Sequence, residues 1–120
     1  MQRQIMHGKI HRATVTEAHL DYPGSITIDK KLMDKAGILH HEKVLIANLT
    51  NGSRIESYAI PGPAGSGVIC LNGGAAKHGK AGDMVIILAF GVMSEKEAKN
   101  YQPKIVYVDR HNRIVKKKSK

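Results

Sequence analysis

Eight short runs of apolar and β-branched residues, separated by turn-forming residues, constrain the fold of this chain most strongly. The runs are 5–10, 13–18, 25–28, 44–49, 55–60, 68–71, 84–90 and 105–108. Runs of this length, bounded by Gly, Pro, Asn or Asp, are typical of β-strands. Asn51-Gly52 lies between two of them and predicts a hairpin in which Leu49 and Arg54 face each other.

Two helices are predicted between the strands. Asp29 is a suitable N-cap for a helix over 30–36, and Gly37 is a suitable C-terminal stop. Ser94 and Glu97 have the spacing of a capping box, which predicts the start of a second short helix. The expected fold class is therefore mostly β, a small barrel with two or so short helices.

The length of 120 residues predicts a single domain, 1–120, with a basic tail at 115–120. No apolar run approaches the length that spans a bilayer, so neither a signal peptide nor a transmembrane segment is expected. The one cysteine, Cys70, lies among apolar residues and is expected in the core. It cannot form an intrachain disulfide, which favours the cytoplasm.

The formal charge of +9 is compatible with two kinds of partner. A basic β-barrel could bind nucleic acid, but the chain has one Phe, four Tyr and no Trp to stack on bases. A positive field would equally attract a small anionic substrate into a cleft. Charge alone leaves a non-catalytic nucleic-acid-binding module as the alternative to an enzyme.

The common catalytic and metal motifs are absent. Residues 74–81 match the glycine and lysine positions of a phosphate-binding loop, but Ala81 lacks the hydroxyl that would hold magnesium. His7 and His11 have the spacing of a helical zinc pair, yet they lie in a predicted strand, about 13 Å apart. No third ligand is indicated, so no metal site is predicted.

The segment Tyr22-Pro23-Gly24-Ser25 reads on its own as a turn. Pro presets φ for the second position of a β-turn, and Gly24 would adopt the positive φ that a type II turn needs. Ser25 then enters the predicted strand 25–28. Local chemistry alone gives this segment no further role.

Together with other polar positions, this segment resembles a known family. The matching residues run in order along nearly the whole chain: Gly8-Lys9-Ile10-His11-Arg12, Tyr22, Gly24-Ser25, Thr50-Asn51-Gly52, Arg54, Tyr58-Ala59-Ile60, Asn72-Gly73 and 82–87. They are similar to the pyruvoyl-dependent aspartate 1-decarboxylases. The resemblance implies a double-psi β-barrel and a homotetramer with active sites between neighbouring subunits.

The resemblance also implies how such a chain matures. A proenzyme cleaves itself between Gly24 and Ser25, giving chains 1–24 and 25–120, and Ser25 becomes a covalent pyruvoyl group; a maturation factor can take part. This cofactor forms a Schiff base with L-aspartate and provides the electron sink that decarboxylation to β-alanine and CO2 requires. The product feeds pantothenate and coenzyme A biosynthesis.

Roles for individual residues follow from the same resemblance. Tyr58 is the proton donor, Arg54 pairs with a substrate carboxylate, and Lys9 lies near a second one. Substrate binding is assigned to eight positions in all: Lys9, His11, Arg54, Ser57, Asn72, Gly73, Gly74 and Ala75. Support for cleavage is assigned to three: Tyr22, Ser57 and Asn72.

Three positions depart from the family pattern. Pro23 replaces other residues, Ser57 stands where Thr is usual, and Gly74 stands where Ala is usual. The loss of a methyl loosens the Ser57 rotamer, and Gly74 adds backbone freedom. These departures predict slower or less complete maturation.

Overall fold

The computed structural model describes residues 1–116, in which nine strands are interrupted by three short helices. The strands are β1 (Gln2–Thr14), β2 (Glu17–His19), β3 (Ser25–Asp29), β4 (Lys43–Asn48), β5 (Arg54–Gly62), β6 (Ile69–Asn72), β7 (Met84–Ser94), β8 (Lys104–Val108) and β9 (Ile114–Val115). The helices are α1 (Lys30–Ala36), a 3₁₀ helix (Gly73–His78) and α2 (Glu95–Asn100). This architecture confirms the predicted mostly β, barrel-like fold with short helices.

The strands join in the order β2-β6-β3-β5-β4-β7-β1-β8-β9. Chain neighbours are often not sheet neighbours, because β3 pairs in parallel with β5 and β1 pairs in parallel with β8. The segment predicted as one strand over 13–18 is divided. Its first two residues complete β1, and its last two lie in β2. Strand β1 pairs with β7 on one side and with β8 on the other.

The core lies between the strands and α1 and is almost entirely aliphatic. The fully buried large side chains include Ile10, Ile26, Ile28, Leu32, Ile46, Ile69, Leu71 and Ile87. Burying each such side chain contributes roughly 1.5–3 kcal/mol. Alternate residues of a strand point to opposite faces, so the polar neighbours of these residues remain available for a site.

Helix α1 is fixed at both ends as its sequence predicted. The Asp29 side chain accepts a hydrogen bond from Lys31 N, and Gly37 ends the helix with a φ of 74°. Asp29 also accepts hydrogen bonds from the backbone N–H groups of Gly65 and Gly67, which follow β5. One buried carboxylate therefore joins the end of β3, the start of α1 and a distant loop.

Helix α2 has the predicted capping box, in which Ser94 and Glu97 exchange side-chain and backbone hydrogen bonds. The predicted hairpin after β4 is also present, but its register differs. Arg54 faces Ala47 and not Leu49. Asn48 causes the difference, because its Oδ1 accepts hydrogen bonds from the two backbone N–H groups that follow Leu49 and so starts the loop earlier.

The predicted basic tail is mostly outside the described residues. Val115, the first residue of the predicted tail, lies in β9 and pairs with Tyr107 of β8. Residues 117–120 lie outside the described range. Within residues 1–116, no helix has the length and apolar character needed to cross a membrane.

Candidate active site

The Ser25 hydroxyl is buried at the first position of β3, where Asn72 holds it. Asn72 ends β6 and lies directly opposite Ser25 in the antiparallel pairing of β3 with β6. Its Nδ2 donates hydrogen bonds to Ser25 Oγ and Thr27 Oγ1, each at 2.9 Å. Both amide hydrogens are therefore used, one on Ser25 and one on Thr27, and together they fix the amide beside the Ser25 hydroxyl.

Cys70 fixes the orientation of this amide from the other side. Its thiol donates to Asn72 Oδ1 over 3.2 Å. Burial, with a contribution from the Glu17 carboxylate, raises the pKa of the Cys70 thiol, so it keeps its proton at neutral pH. Cys70 is in the core as predicted, but sequence reasoning missed its contact with the site.

Gly73 supports the segment on the other side of Ser25. Its φ is +62°, and a Cβ added to it would lie 2.5 Å from Tyr22 O and 2.7 Å from Gly24 N. The prediction of a type II turn with positive φ at Gly24 is wrong, because Gly24 is not among the positive-φ residues of the chain. The chain turns earlier, at residues 20–21, and then leads into β3. The left-handed conformation lies at Gly73, which packs against this segment.

A cleft of about 480 Å³ opens beside Gly24. Four of the other predicted residues line it: Ser57, Tyr58, Gly74 and Ala75. Sequence reasoning missed three more lining residues: Ile55, Glu56 and His78. Glu56 and His78 carry no motif that could have identified them, because the cleft forms only when β5 meets the 3₁₀ helix.

Arg54 is on the strand that lines the cleft but not among the lining residues. Arg54, Glu56 and Tyr58 occupy alternate positions of β5 and therefore share one face of the strand. All three side chains are exposed. Within residues 1–116, Arg54 forms no ion pair, whereas Glu56 pairs with Lys43. The Arg54 guanidinium is therefore available for a carboxylate that approaches this face.

Lys9 and His11 are not brought to the cleft within one chain. Both lie on β1, and three strands separate β1 from β3 in the sheet. His11 packs edge-on against Tyr107, and its buried Nδ1 has no partner among the described residues. Burial, followed by the charges of Lys9 and Arg12, lowers the pKa of His11, so its imidazole is neutral at pH 7.

Tyr22 lies in the exposed segment that precedes Gly24. Its ring stacks on His19, with ring centroids 4.9 Å apart. Its backbone carbonyl faces Gly73. Tyr22 is thus beside the predicted cleavage position, although its hydroxyl forms no hydrogen bond within residues 1–116.

A second polar network holds the far end of the 3₁₀ helix. The backbone carbonyl of His78 accepts hydrogen bonds from Asn48, Asn51 and Ser53. Asp83 is 2% exposed and accepts hydrogen bonds from Asn48 Nδ2 and from the backbone N–H of Lys80. This network fixes the position of His78 in the cleft wall.

Acid is expected to destabilise the protein partly through Asp83. The hydrogen bond from Asn48, then those from Lys80, hold the pKa of Asp83 below its usual value. The resulting stabilisation is complete above the unfolded pKa of about 3.9 and is lost as the pH falls through the lower folded pKa. The free energy of unfolding, measured by urea denaturation between pH 2 and pH 6, is expected to show this loss.

The free energy of unfolding of the Asp83→Asn variant is expected to fall less on acidification than that of the unsubstituted chain. Asp34→Asn is the matched control, because it removes an exposed carboxylate that pairs with Lys30 on α1. If Asp83→Asn and the unsubstituted chain lose stability in parallel on acidification, Asp83 does not have the role assigned to it.

Comparisons with known proteins agree with the resemblance seen in the sequence. A family model described as aspartate decarboxylase matches residues 1–115. Relatives named aspartate 1-decarboxylase include that of Carboxydothermus hydrogenoformans, 61% identical over 97% of this chain and 91% of the relative. The protein of Listeria monocytogenes is 57% identical over 95% and 90%, and that of Thermoanaerobacter pseudethanolicus is 54% identical over 96% and 98%. This chain therefore belongs to the aspartate decarboxylase family.

Proposed function

We propose that this chain is a proenzyme that cleaves itself between Gly24 and Ser25 and then decarboxylates L-aspartate to β-alanine and CO2. The observation that carries the proposal is the hydrogen bond from Asn72 to the buried Ser25 hydroxyl, next to an open cleft. A surface turn would not need such a partner. Family membership supports decarboxylation of aspartate as the reaction, with β-alanine supplied to pantothenate and coenzyme A biosynthesis.

The groups around Gly24 and Ser25 are suited to cleavage. The Ser25 oxygen would attack the Gly24 carbonyl carbon, the peptide C–N bond would break, and the upstream chain would be held as an ester. Elimination would then release chain 1–24 with a free carboxylate and leave dehydroalanine as the first residue of chain 25–120. Water would hydrolyse the imine form of that residue, which releases ammonia and leaves a pyruvoyl group. Asn72 keeps the oxygen in place, and Gly73 restrains the backbone beside it.

The surroundings of Ser25 fit a pyruvoyl group and a dicarboxylic substrate. Such a group supplies the electron sink that ordinary side chains lack. Ser57, Gly74 and Ala75 would line the substrate, and Tyr58 would deliver a proton to the carbon that loses CO2. Arg54 would bind one carboxylate bidentately.

The remaining predicted residues favour a site shared between subunits. Lys9 and His11 are outside the cleft of their own chain. In a homotetramer with sites between neighbours, Lys9 and His11 of one subunit could lie near the cleft of another. The positive charge of Lys9 and Arg54 would then surround a dianionic substrate.

Intact-mass spectrometry under denaturing conditions tests the proposal, before and after warm incubation. Two fragments that separate after Gly24 are expected, with the larger one carrying a pyruvoyl group in place of Ser25. The Ser25→Ala variant is the control and is expected to keep a single mass. A persistent single mass in the unsubstituted chain, without decarboxylation of aspartate, would contradict the proposal. Salt-dependent binding of an oligonucleotide would then favour the nucleic-acid-binding alternative.

A further inference from the structure

One face of the three strands β2, β6 and β3 carries polar side chains in two adjacent rows. Alternate residues of a strand share a face, and the pairing of these strands aligns the rows. The rows are Glu17, Cys70 and Thr27, and then His19, Asn72 and Ser25. The second row contains the residues that hold the proposed cleavage position. The first row begins with an ionisable pair that the proposed reaction does not use.

Three of these side chains offer one ligand atom each within a small volume. A carboxylate oxygen of Glu17, a ring nitrogen of His19 and the sulfur of Cys70 lie within 4.8 Å of one another. In a tetrahedral zinc site, bonds of about 2.0–2.3 Å place neighbouring ligand atoms roughly 3.3–3.7 Å apart. An adjustment of about 1 Å would thus place three of the four ligands of such a site.

The burial of the three groups suits an ion that enters from solvent. The Cys70 side chain is buried, whereas the side chains of His19 and Glu17 are 42% and 53% exposed. The thiol is thereby shielded from solvent, and the exposed side of the cluster, at Glu17 and His19, leaves room for water. We propose that Glu17, His19 and Cys70 bind one transition-metal ion of the Zn²⁺ class, with water as the fourth ligand.

The donor set determines the kind of ion. A thiolate and an imidazole favour zinc and cobalt over magnesium and calcium, which prefer oxygen ligands. Binding breaks the 2.7 Å hydrogen bond between His19 Nε2 and Glu17, so that both atoms can coordinate the metal. The proton of the Cys70 thiol is released to solvent, and Asn72 Oδ1 loses the donor that it has in the metal-free chain.

Sequence reasoning could not find this site. Glu17 and His19 are two residues apart, but Cys70 follows about fifty residues later and has no ligand-like neighbour in the sequence. Only the parallel pairing of β2 with β6 places Cys70 opposite Glu17. The prediction of no metal site rested on local spacing and did not consider this pairing.

Titration of the purified full chain with Co²⁺ tests the site. Cys70 is the one cysteine of the chain, so a thiolate-to-cobalt charge-transfer band can arise from this residue alone. The band is expected to saturate at one equivalent, to be bleached by Zn²⁺, and to be absent in Cys70→Ser. The Ser25→Ala variant is expected to give the same band, which separates this result from the outcome of the cleavage proposal.

Two further variants and a control complete the test. His19→Gln and Glu17→Gln are expected to weaken cobalt binding by at least the roughly 10-fold to 100-fold that loss of an outer-shell partner costs. His40→Gln should leave the band unchanged, because His40 stacks on His41 in a separate exposed loop. Circular dichroism verifies that each variant is folded. The absence of a band in the unsubstituted chain, or an equally strong band in His19→Gln and Glu17→Gln, would overturn the proposal.

Discussion

Replacing Gly73 by alanine is expected to stop the proposed cleavage of the chain at Gly24–Ser25. A Cβ at Gly73 would lie 2.5–2.8 Å from backbone atoms of Tyr22 and Gly24, a distance at which atoms must move apart. An alanine at φ +62° would also be strained by roughly 1–2 kcal/mol. Because these backbone atoms belong to the proposed cleavage segment, the Gly24 carbonyl would be displaced from the Ser25 hydroxyl. Intact-mass spectrometry is expected to give a single uncut mass.

The adjacent residue provides a matched control. A Cβ added to Gly74 would have no atom within 4 Å, and its φ is not in the left-handed region. Gly74→Ala is therefore expected to cleave at least as completely as the unsubstituted chain, since it removes backbone freedom without a clash. Circular dichroism of both variants would verify the fold. Equal cleavage of the two variants would show that contact between Gly73 and the segment is unimportant.

Replacing Tyr58 by phenylalanine is expected to separate cleavage from turnover. The Tyr58 hydroxyl forms no hydrogen bond within residues 1–116, and it is available to a substrate in the cleft. Ser25 is instead held by Asn72. Cleavage of Tyr58→Phe is thus expected to be normal. The rate of L-aspartate decarboxylation, measured as CO2 release, is expected to fall by about 10²- to 10⁴-fold.

Tyr101→Phe is the corresponding control. The Tyr101 hydroxyl donates to the backbone carbonyl of His7, away from the cleft. Its loss is expected to leave both cleavage and decarboxylation unchanged. Decarboxylation by Tyr58→Phe at a rate within about twofold of the unsubstituted chain would exclude Tyr58 as the proton donor.

Local signals in the sequence predicted the elements of the fold well. Asp29 and Gly37 bound α1, and the capping box begins α2, because each signal acts within one helical turn. The register of the hairpin after β4 was wrong because an Asn48 side chain, and not the Asn51-Gly52 pair alone, starts the loop. The strand order depends on parallel pairings between distant segments, which no local pattern encodes.

The candidate site was predictable to the extent that the family resemblance supplied it. Gly24, Ser57 and Tyr58 do line a common cleft. The resemblance did not provide Cys70, whose contact with Asn72 depends on two residues sharing a strand face. It also gave no indication that Gly73, and not Gly24, adopts the left-handed conformation.

The strand order determines how the two chains would be held together after the proposed cleavage. Residues 1–24 contain β1, which lies between β7 and β8, and β2, which lies at the edge of the sheet beside β6. After cleavage at Gly24, these strands would remain bound through backbone pairing and the burial of Ile10, Ala13 and Val15. Refolding of each cleaved subunit would then require two chains to associate, in addition to the association between subunits, so its midpoint would depend more strongly on protein concentration than that of the uncut precursor. Dilution would therefore destabilise the cut chain more than the uncut precursor.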